Sequence, residues 1–208
     1  MVSSFLSAQS AAIDAHPYSI RIGYGIADAN DLGEILRGDF NPYTNNTSVY
    51  NLDAGWCFTH NFYDLPFDFY LKGGLSYFDE NGAYDKRGEG PYKNFVEGTF
   101  YVKVYGKIDF WHNRIRLGFG EGVSYAQEIP VVEIDDATHN GTVDKSSKFL
   151  NYLDISLDID VGRLIHVKSM EDLYLGYTLK HRSSVFGLYG NGAVNGSNYN
   201  MIVLEKNF

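Results

Sequence analysis

One cysteine, Cys57, stands in the 208 residues, so neither an intrachain disulfide nor a cysteine-based metal site is available. No run approaches the roughly 20 consecutive apolar residues that a membrane-crossing helix needs. Cations are few: 17 Lys and Arg against 26 Asp and Glu leave a formal charge of -9, which argues against nucleic acid, a partner bound by clustered Lys and Arg. No composition break or low-complexity linker splits the chain, so residues 17–208 read as one domain. Residues 1–16 lack the basic start and full apolar core of an export signal, yet their small residues follow the Ala-x-Ala style of a cleavage region. They read either as the tail of a clipped signal or as a disordered N-terminus.

Tyr (17) and Gly (22) are abundant, and aromatics reach 16%, a bias that suits strands and interfacial girdles better than helices. Apolar residues recur with period two in eight segments separated by turn-rich stretches. Ile20, Ile22, Tyr24 and Ile26 share one face of the first segment; Leu153, Ile155, Leu157, Ile159 and Val161 share one face of the sixth. The other faces carry charge on nearly every strand: Arg21, Lys72, Lys103, Lys107, Arg116, Lys180 and Arg182 against Asp53, Asp68, Glu97, Asp154, Asp158 and Asp160. In a soluble sandwich these would be a wet outer face; in a small barrel they must pair inside, because an unpaired buried charge is costly. A lipocalin-like soluble binder would instead need a hollow apolar interior.

The connections settle the expectation. Those near 29–47, 79–93, 129–147 and 186–197 are long, those near 60–64, 110–113 and 163–171 are short, and the two kinds alternate strictly. Such a rhythm predicts an all-β, eight-stranded antiparallel transmembrane up-and-down β-barrel, with short turns and both termini on the periplasmic side of a Gram-negative outer membrane. The terminal Phe208, after Ile202 and Leu204 at even spacing, fits the aromatic ending of such barrels.

Chemistry concentrates on the seventh strand, where the outward series Leu173, Leu175, Tyr177, Leu179 ends in His181 and Ser183. Two residues apart on a strand, their Cα atoms stand about 7 Å apart on one face, within reach for a general base and a serine hydroxyl. The plainer alternative makes them polar residues of the headgroup zone.

The last 35 or so residues, GYTLKHRSSVFGLYGNGAVNGSNYNMIVLEKNF, together with the eight-strand plan, resemble the outer-membrane lipid A 3-O-deacylases and the related acyloxyacyl hydrolase-like barrels. Members carry His-x-Ser-Asn near the outer end of the penultimate strand, a Gly-rich loop and a closing strand. The resemblance implies that His181 is the base and Ser183 the nucleophile on a fatty acyl ester of lipid A. Two positions depart from the pattern. The Asn after the nucleophile is Ser184 here, and the Glu that orients the histidine is matched by Asn198. An Asn orients an imidazole but stabilises imidazolium less than a carboxylate does. The oxyanion then falls to Ser184 or to backbone N–H groups near Gly187. A rival orienter, Glu205, lies near the other end and on the other face.

Lipid A, or lipopolysaccharide, and outer-membrane lipids are thus the expected partners, with homodimerisation left open and no cofactor or metal implied. The competing expectation is a non-catalytic barrel that acts structurally or through its long outer loops. Glu121, in GFGEGVSY, falls on the apolar face; its Gly neighbours predict a bulge that swings it inward, and if it does face lipid it is a second functional candidate. Glu128, Glu133, Asp135 and Asp136 offer hard oxygen ligands for a divalent cation such as calcium, but without calcium-loop spacing they read as a solvated outer loop. The scattered histidines show no metal spacing.

Overall fold

The computed structural model describes residues 16–142, 145–185, 188–189 and 195–208. Its strands are β1 (Tyr18–Asp28), β2 (Ser48–Thr59), β3 (Phe67–Asp79), β4 (Phe95–Phe110), β5 (Asn113–Ala126), β6 (Phe149–Asp160), β7 (Leu173–Ser183) and β8 (Gly196–Asn207), with the short helices α1 (Leu32–Ile35), α2 (Val131–His139) and α3 (Val161–Leu164) between them. Each pairs antiparallel with its chain neighbour and β8 returns to β1, closing an up-and-down barrel. Closure removes the unpaired edges a sandwich would keep. Phe208 completes the seam: its N–H donates to Tyr18 O (2.9 Å), and Tyr18 N–H donates to Phe208 O (3.1 Å).

The strands tilt. A lateral row followed from Asp28 on β1 through Asn198, His181, Leu153, Glu121, Val102, Leu71 and Trp56 returns to β1 at Tyr18, ten residues lower. Such a stagger accompanies the tilt that closure requires. The row therefore descends from the long-loop end at β1 toward the short-turn end as it passes through β8, β7, β6 and β5.

Alternation sorts the side chains as expected. The outer wall carries Ile22, Leu52, Leu117, Leu157 and Ile202, each at least half exposed. A soluble protein would hide such residues, and a contiguous apolar wall of this size calls for a cover. Tyr24, Tyr50 and Tyr77 ring its upper edge with centroids 5.2 and 6.5 Å apart, while Trp56 and Phe58 stand near the lower edge, 6.2 Å apart. An aliphatic belt between aromatic girdles is the surface that hydrocarbon between two headgroup layers would solvate.

The interior is filled with paired charge. Arg21 joins Asp53 (2.7 Å) to Asp154, which Lys103 also meets; Lys72 meets Glu205 (2.7 Å), and Arg116 spans Asp158 (3.1 Å) and Glu205 (3.4 Å). Higher up, Glu97 receives Lys180 and Arg182, and near the short turns Lys107 meets Asp68 at 2.8 Å. Glu205, the rival orienter, is thus an interior acceptor for Lys72, Arg116 and the Tyr105 hydroxyl (2.6 Å), on the opposite face of the wall from His181. Asp160 differs from expectation: it caps the helical turn α3 (Val161–Leu164) by accepting Arg163 N–H at 3.0 Å, ending β6 one residue before the predicted Val161. A hollow apolar interior is excluded by these side chains. Asp53, Glu97, Lys103, Asp154 and Arg182 show no exposed surface.

Above the charges lies an apolar cap in which Val49, Phe78, Phe95, Val131 and Tyr199 pack together. Phe78 and Phe95 stack at 4.7 Å, and Tyr199 meets Phe78 edge-on. Closing this end is α2 (Val131–His139), inside the stretch expected to be a solvated loop. Its first turn takes Glu133, which suits the positive end of a helix, and Gly141 at φ +66° follows its end, where a left-handed residue costs glycine little.

Glu133 is the reason the loop expectation failed. It is buried and accepts from Arg182 Nη1 (2.9 Å), Asn195 Nδ2 (2.7 Å) and Ser197 Oγ (2.7 Å), so an acid that looks solvated in the sequence plugs the barrel mouth. Asp135 is buried too, accepting from the Tyr43 hydroxyl and from Lys86 N–H (2.7 Å), whereas Glu128 pairs at the surface with Lys148 (3.0 Å). These carboxylates are spent on loop packing, and among the described residues no group of three or more His, Cys, Asp or Glu is placed to hold a metal ion.

Candidate active site

His181 and Ser183 both point to the outer wall at the long-loop end of β7, each half-buried. Across the β7–β8 ladder His181 faces Asn198 directly, and its Nδ1 lies 2.7 Å from Asn198 Oδ1. The amide is fixed from its other side, because Asn198 Nδ2 donates to Asn30 O at 2.9 Å. That leaves Oδ1 as the acceptor toward the ring. Nδ1 must then carry the hydrogen, and Nε2 is left with a free lone pair.

Asn30 is held in turn. Asp28, at the end of β1, accepts Asn30 N–H (2.9 Å), Asn41 N–H (3.1 Å) and Asn200 Nδ2 (2.7 Å). Tyr177 donates to Asn200 Oδ1 at 2.5 Å, and its ring meets Phe40 edge-on at 6.4 Å. The first long loop is thereby tied down over the outside of β7, β8 and β1. Leu179, outward by parity, is only 1% exposed beneath it. Sequence reasoning missed Asp28, Asn30, Tyr177 and Asn200. Their signal was weak: polar residues at outward positions where a strand leaves the apolar belt.

A cleft of about 840 Å³ opens here, lined by His181, Ser183, Asn198, Asp31, Val132 and Leu153 among others. Ser183 sits opposite Asn151 on β6 and makes no hydrogen bond to His181; the two side chains share the cleft rather than touching. Ser184 also lines it, but its backbone N–H is engaged with Asn195 O at 3.2 Å, so only its hydroxyl remains to receive an oxyanion. Gly187 lies outside the described residues.

Glu121 corrects the bulge expectation. The β4–β5 and β5–β6 ladders run through it without a shift, Val102 on one side and Leu153 on the other, so its side chain stays on the outer wall and lines the same cleft. Glycine neighbours permit a bulge but do not compel one when both flanking strands are in register.

The mouth is acidic. Burial, with Asp31 opposite, raises the Asp136 carboxyl above its usual range. Glu133 is raised by burial despite Arg182, and Glu80, buried with Val131 N–H as its donor (3.0 Å), is pushed up to about 7.

Fold and cleft together define a class: a closed eight-stranded barrel with an imidazole–amide pair set into its outer wall beneath a strapped-down loop. No protein-family model matches the chain, and no curated protein matches it in sequence. Among solved structures the fold is similar to that described as the outer membrane enzyme PagL, with 10% sequence identity and a TM-score of 0.57, covering 90% of this chain and 98% of that one. At that identity the likeness concerns the fold.

Proposed function

We propose that this chain is an outer-membrane barrel that hydrolyses a fatty acyl ester of lipid A, with Ser183 as nucleophile, His181 as general base and Asn198 as the group that orients the base. The observation that carries the reading is the 2.7 Å contact between His181 and Asn198, on the outer wall and inside a cleft that Ser183 shares. A base with its tautomer fixed and its other nitrogen free, in a cleft that a serine shares, supplies the parts acyl transfer needs. The likeness to an outer membrane enzyme supports the membrane setting. The long loops would face outward and the termini the periplasm, so substrate enters sideways from the outer leaflet.

In this scheme Ser183 Oγ attacks the ester carbonyl while His181 Nε2 takes its proton. The tetrahedral oxyanion is received by the Ser184 hydroxyl or by backbone N–H groups near Gly187. Collapse expels the sugar hydroxyl, which regains the proton from His181. Water, activated by the same imidazole, then releases the fatty acid from Ser183. A rotation of the Ser183 side chain must precede attack, and catalytic hydrogen bonds often tighten only with substrate bound.

A second reading, a non-catalytic barrel acting through its loops, is favoured by the absent Ser183–His181 hydrogen bond and by an amide where a carboxylate would stabilise imidazolium better. Mass spectrometry of lipid A from cells making wild type or Ser183→Ala at matched membrane levels separates the two. Loss of one acyl chain with wild type alone supports the hydrolase. Unchanged lipid A with both, in barrels shown to be folded, supports the second reading.

A further inference from the structure

His181 is oriented by an amide, and an amide brings no charge to offset the imidazolium that forms when the ring takes a proton. The charges around the ring decide which group can. On its own strand, Lys180 and Arg182 point inward to Glu97 and Glu133, and on β6 Asp154 points inward to Arg21. From β8 the ring's neighbours are Ser197, Asn198 and Tyr199, none of them charged. Glu121 on β5 lines the cleft but stands two strand spacings away, about 10 Å.

The remaining charges of the cleft come from the loops. On α2, Asp135 is engaged by the Tyr43 hydroxyl and Lys86 N–H, and Asp136 has His139 and Lys86 beside it. Asp28 is occupied by the Asn30 and Asn41 amides and by Asn200. Asp31 is left. It forms no ion pair with any described residue, and its charge acts on the His181 ring.

The chain holds Asp31 there deliberately close. The residue before it supplies the carbonyl, 2.9 Å from Asn198 Nδ2, that locks the orienting amide. Asp31 itself opens α1, where the Glu34 side chain accepts Asp31 N–H at 3.0 Å and Ile35 is buried. Asp28 ties the same loop at Asn30 and again at Asn41. A charge fixed in advance of the reaction costs no reorganisation when the opposite charge develops.

We propose that Asp31 is the carboxylate of this site: a positioning residue, delivered by the loop after β1 rather than by β8, that stabilises the protonated His181 ring through space while Asn198 fixes its orientation. The inference rests on the hydrolase reading above and divides between two elements the two tasks that a single carboxylate would perform, orientation and charge. Because Asp31 is exposed, its influence must weaken as salt is added.

The test uses the full-length barrel refolded in detergent micelles, with kcat on one lipid ester followed against pH at low and at high ionic strength. Asp31→Asn keeps an oxygen able to cap α1 and removes the charge. It should lower kcat by about 3–10-fold and move the acid limb to lower pH by about half a unit, the scale of one partly screened charge. Added salt should move the wild-type limb in the same direction and leave that of Asp31→Asn in place, and Asp31→Glu should restore most of both effects. A merely structural role would lower kcat at every pH without moving the limb. Heat-modifiable gel mobility establishes that each variant is folded. A limb unmoved by Asp31→Asn, or equally salt-dependent with and without the carboxylate, overturns the inference while the hydrolase stands. No turnover by folded wild type removes the hydrolase reading and this inference together.

Discussion

Asn198 holds His181 by a carbonyl oxygen 2.7 Å from Nδ1, and the Asn30 backbone carbonyl prevents the amide from turning over. The tautomer is therefore set without a carboxylate. In the hydrolase proposed above, replacing Asn198 by Ala should lower kcat by about 10–100-fold, less than loss of Ser183, because orientation goes but the imidazole remains. Asn198→Asp brings a negative charge to the ring and favours the protonated imidazole. The acid limb of the pH–rate profile should then move to higher pH, measured as kcat against pH on a lipid ester. An unmoved limb would remove Asn198 from any contact with the working base.

Glu80 gives the outer cap a pH dependence. Its folded value, pushed up to about 7 by burial, exceeds the ordinary 4.5, so the folded cap binds the proton more tightly than the open one. Stability is fully present below about pH 4.5, falls as pH rises toward 7, and is level beyond; the drop is about 3 kcal/mol. Glu80→Gln keeps an oxygen for Val131 N–H and removes the titration. The hydrogen-exchange protection factor of residues 130–140, which removes the intrinsic acceleration of exchange with pH, should fall from pH 5 to 8 in wild type and stay level in the variant. Equal pH dependence in both would assign the effect to another group.

Glu133 is a single acceptor for three donors from β7, β8 and the residue before β8. Glu133→Ala leaves Arg182 with Glu97 at 3.1 Å but strips Asn195 and Ser197 of that partner. Breaking a buried pair from one side costs about 3–5 kcal/mol, and here the loss should fall on the cap first. Limited proteolysis should cut the third long loop while the strands stay protected. Cleavage no faster than in wild type would mean that α2 is held by its apolar contacts alone.

The strands and their faces were legible because a closed barrel repeats one local rule: alternate residues go in or out, and interior charges on separate strands find partners once closure brings them together. Ile20, Arg21 and Ile22 declare their sides without any knowledge of β8. The site was legible as far as parity reaches, which placed His181, Ser183 and Asn198 on one face. What parity lacks is the third dimension of the loops. Nothing near EIPVVEIDDATH announces that Glu133 meets Arg182, since the two, 49 positions apart, are brought together only by closure and by the fold-back of α2. For the same reason the Asn30 carbonyl was invisible. Glu121 was misread in the opposite sense: local glycines suggested freedom, and two ladders in register took it away.

Asp53 and Arg21 set the last expectation. Asp53 Oδ2 receives Arg21 Nε at 2.7 Å and its Oδ1 has no hydrogen-bond partner, so Arg21 is the one cation it meets at close range among the described residues. Asp154 is better provided, with Lys103 and the Tyr152 hydroxyl (3.2 Å) beside it. Arg21→Met should therefore act chiefly through Asp53, stranding a carboxylate with no exposed surface at a cost of about 3–5 kcal/mol in urea unfolding from micelles. Adding Asp53→Leu removes the stranded charge, and the double variant should recover most of that loss even though it lacks the salt bridge entirely. Two losses that simply add would instead mean that Arg21 and Asp53 do not couple and that each acts through its other neighbours, which would remove the stranded carboxylate as the cause.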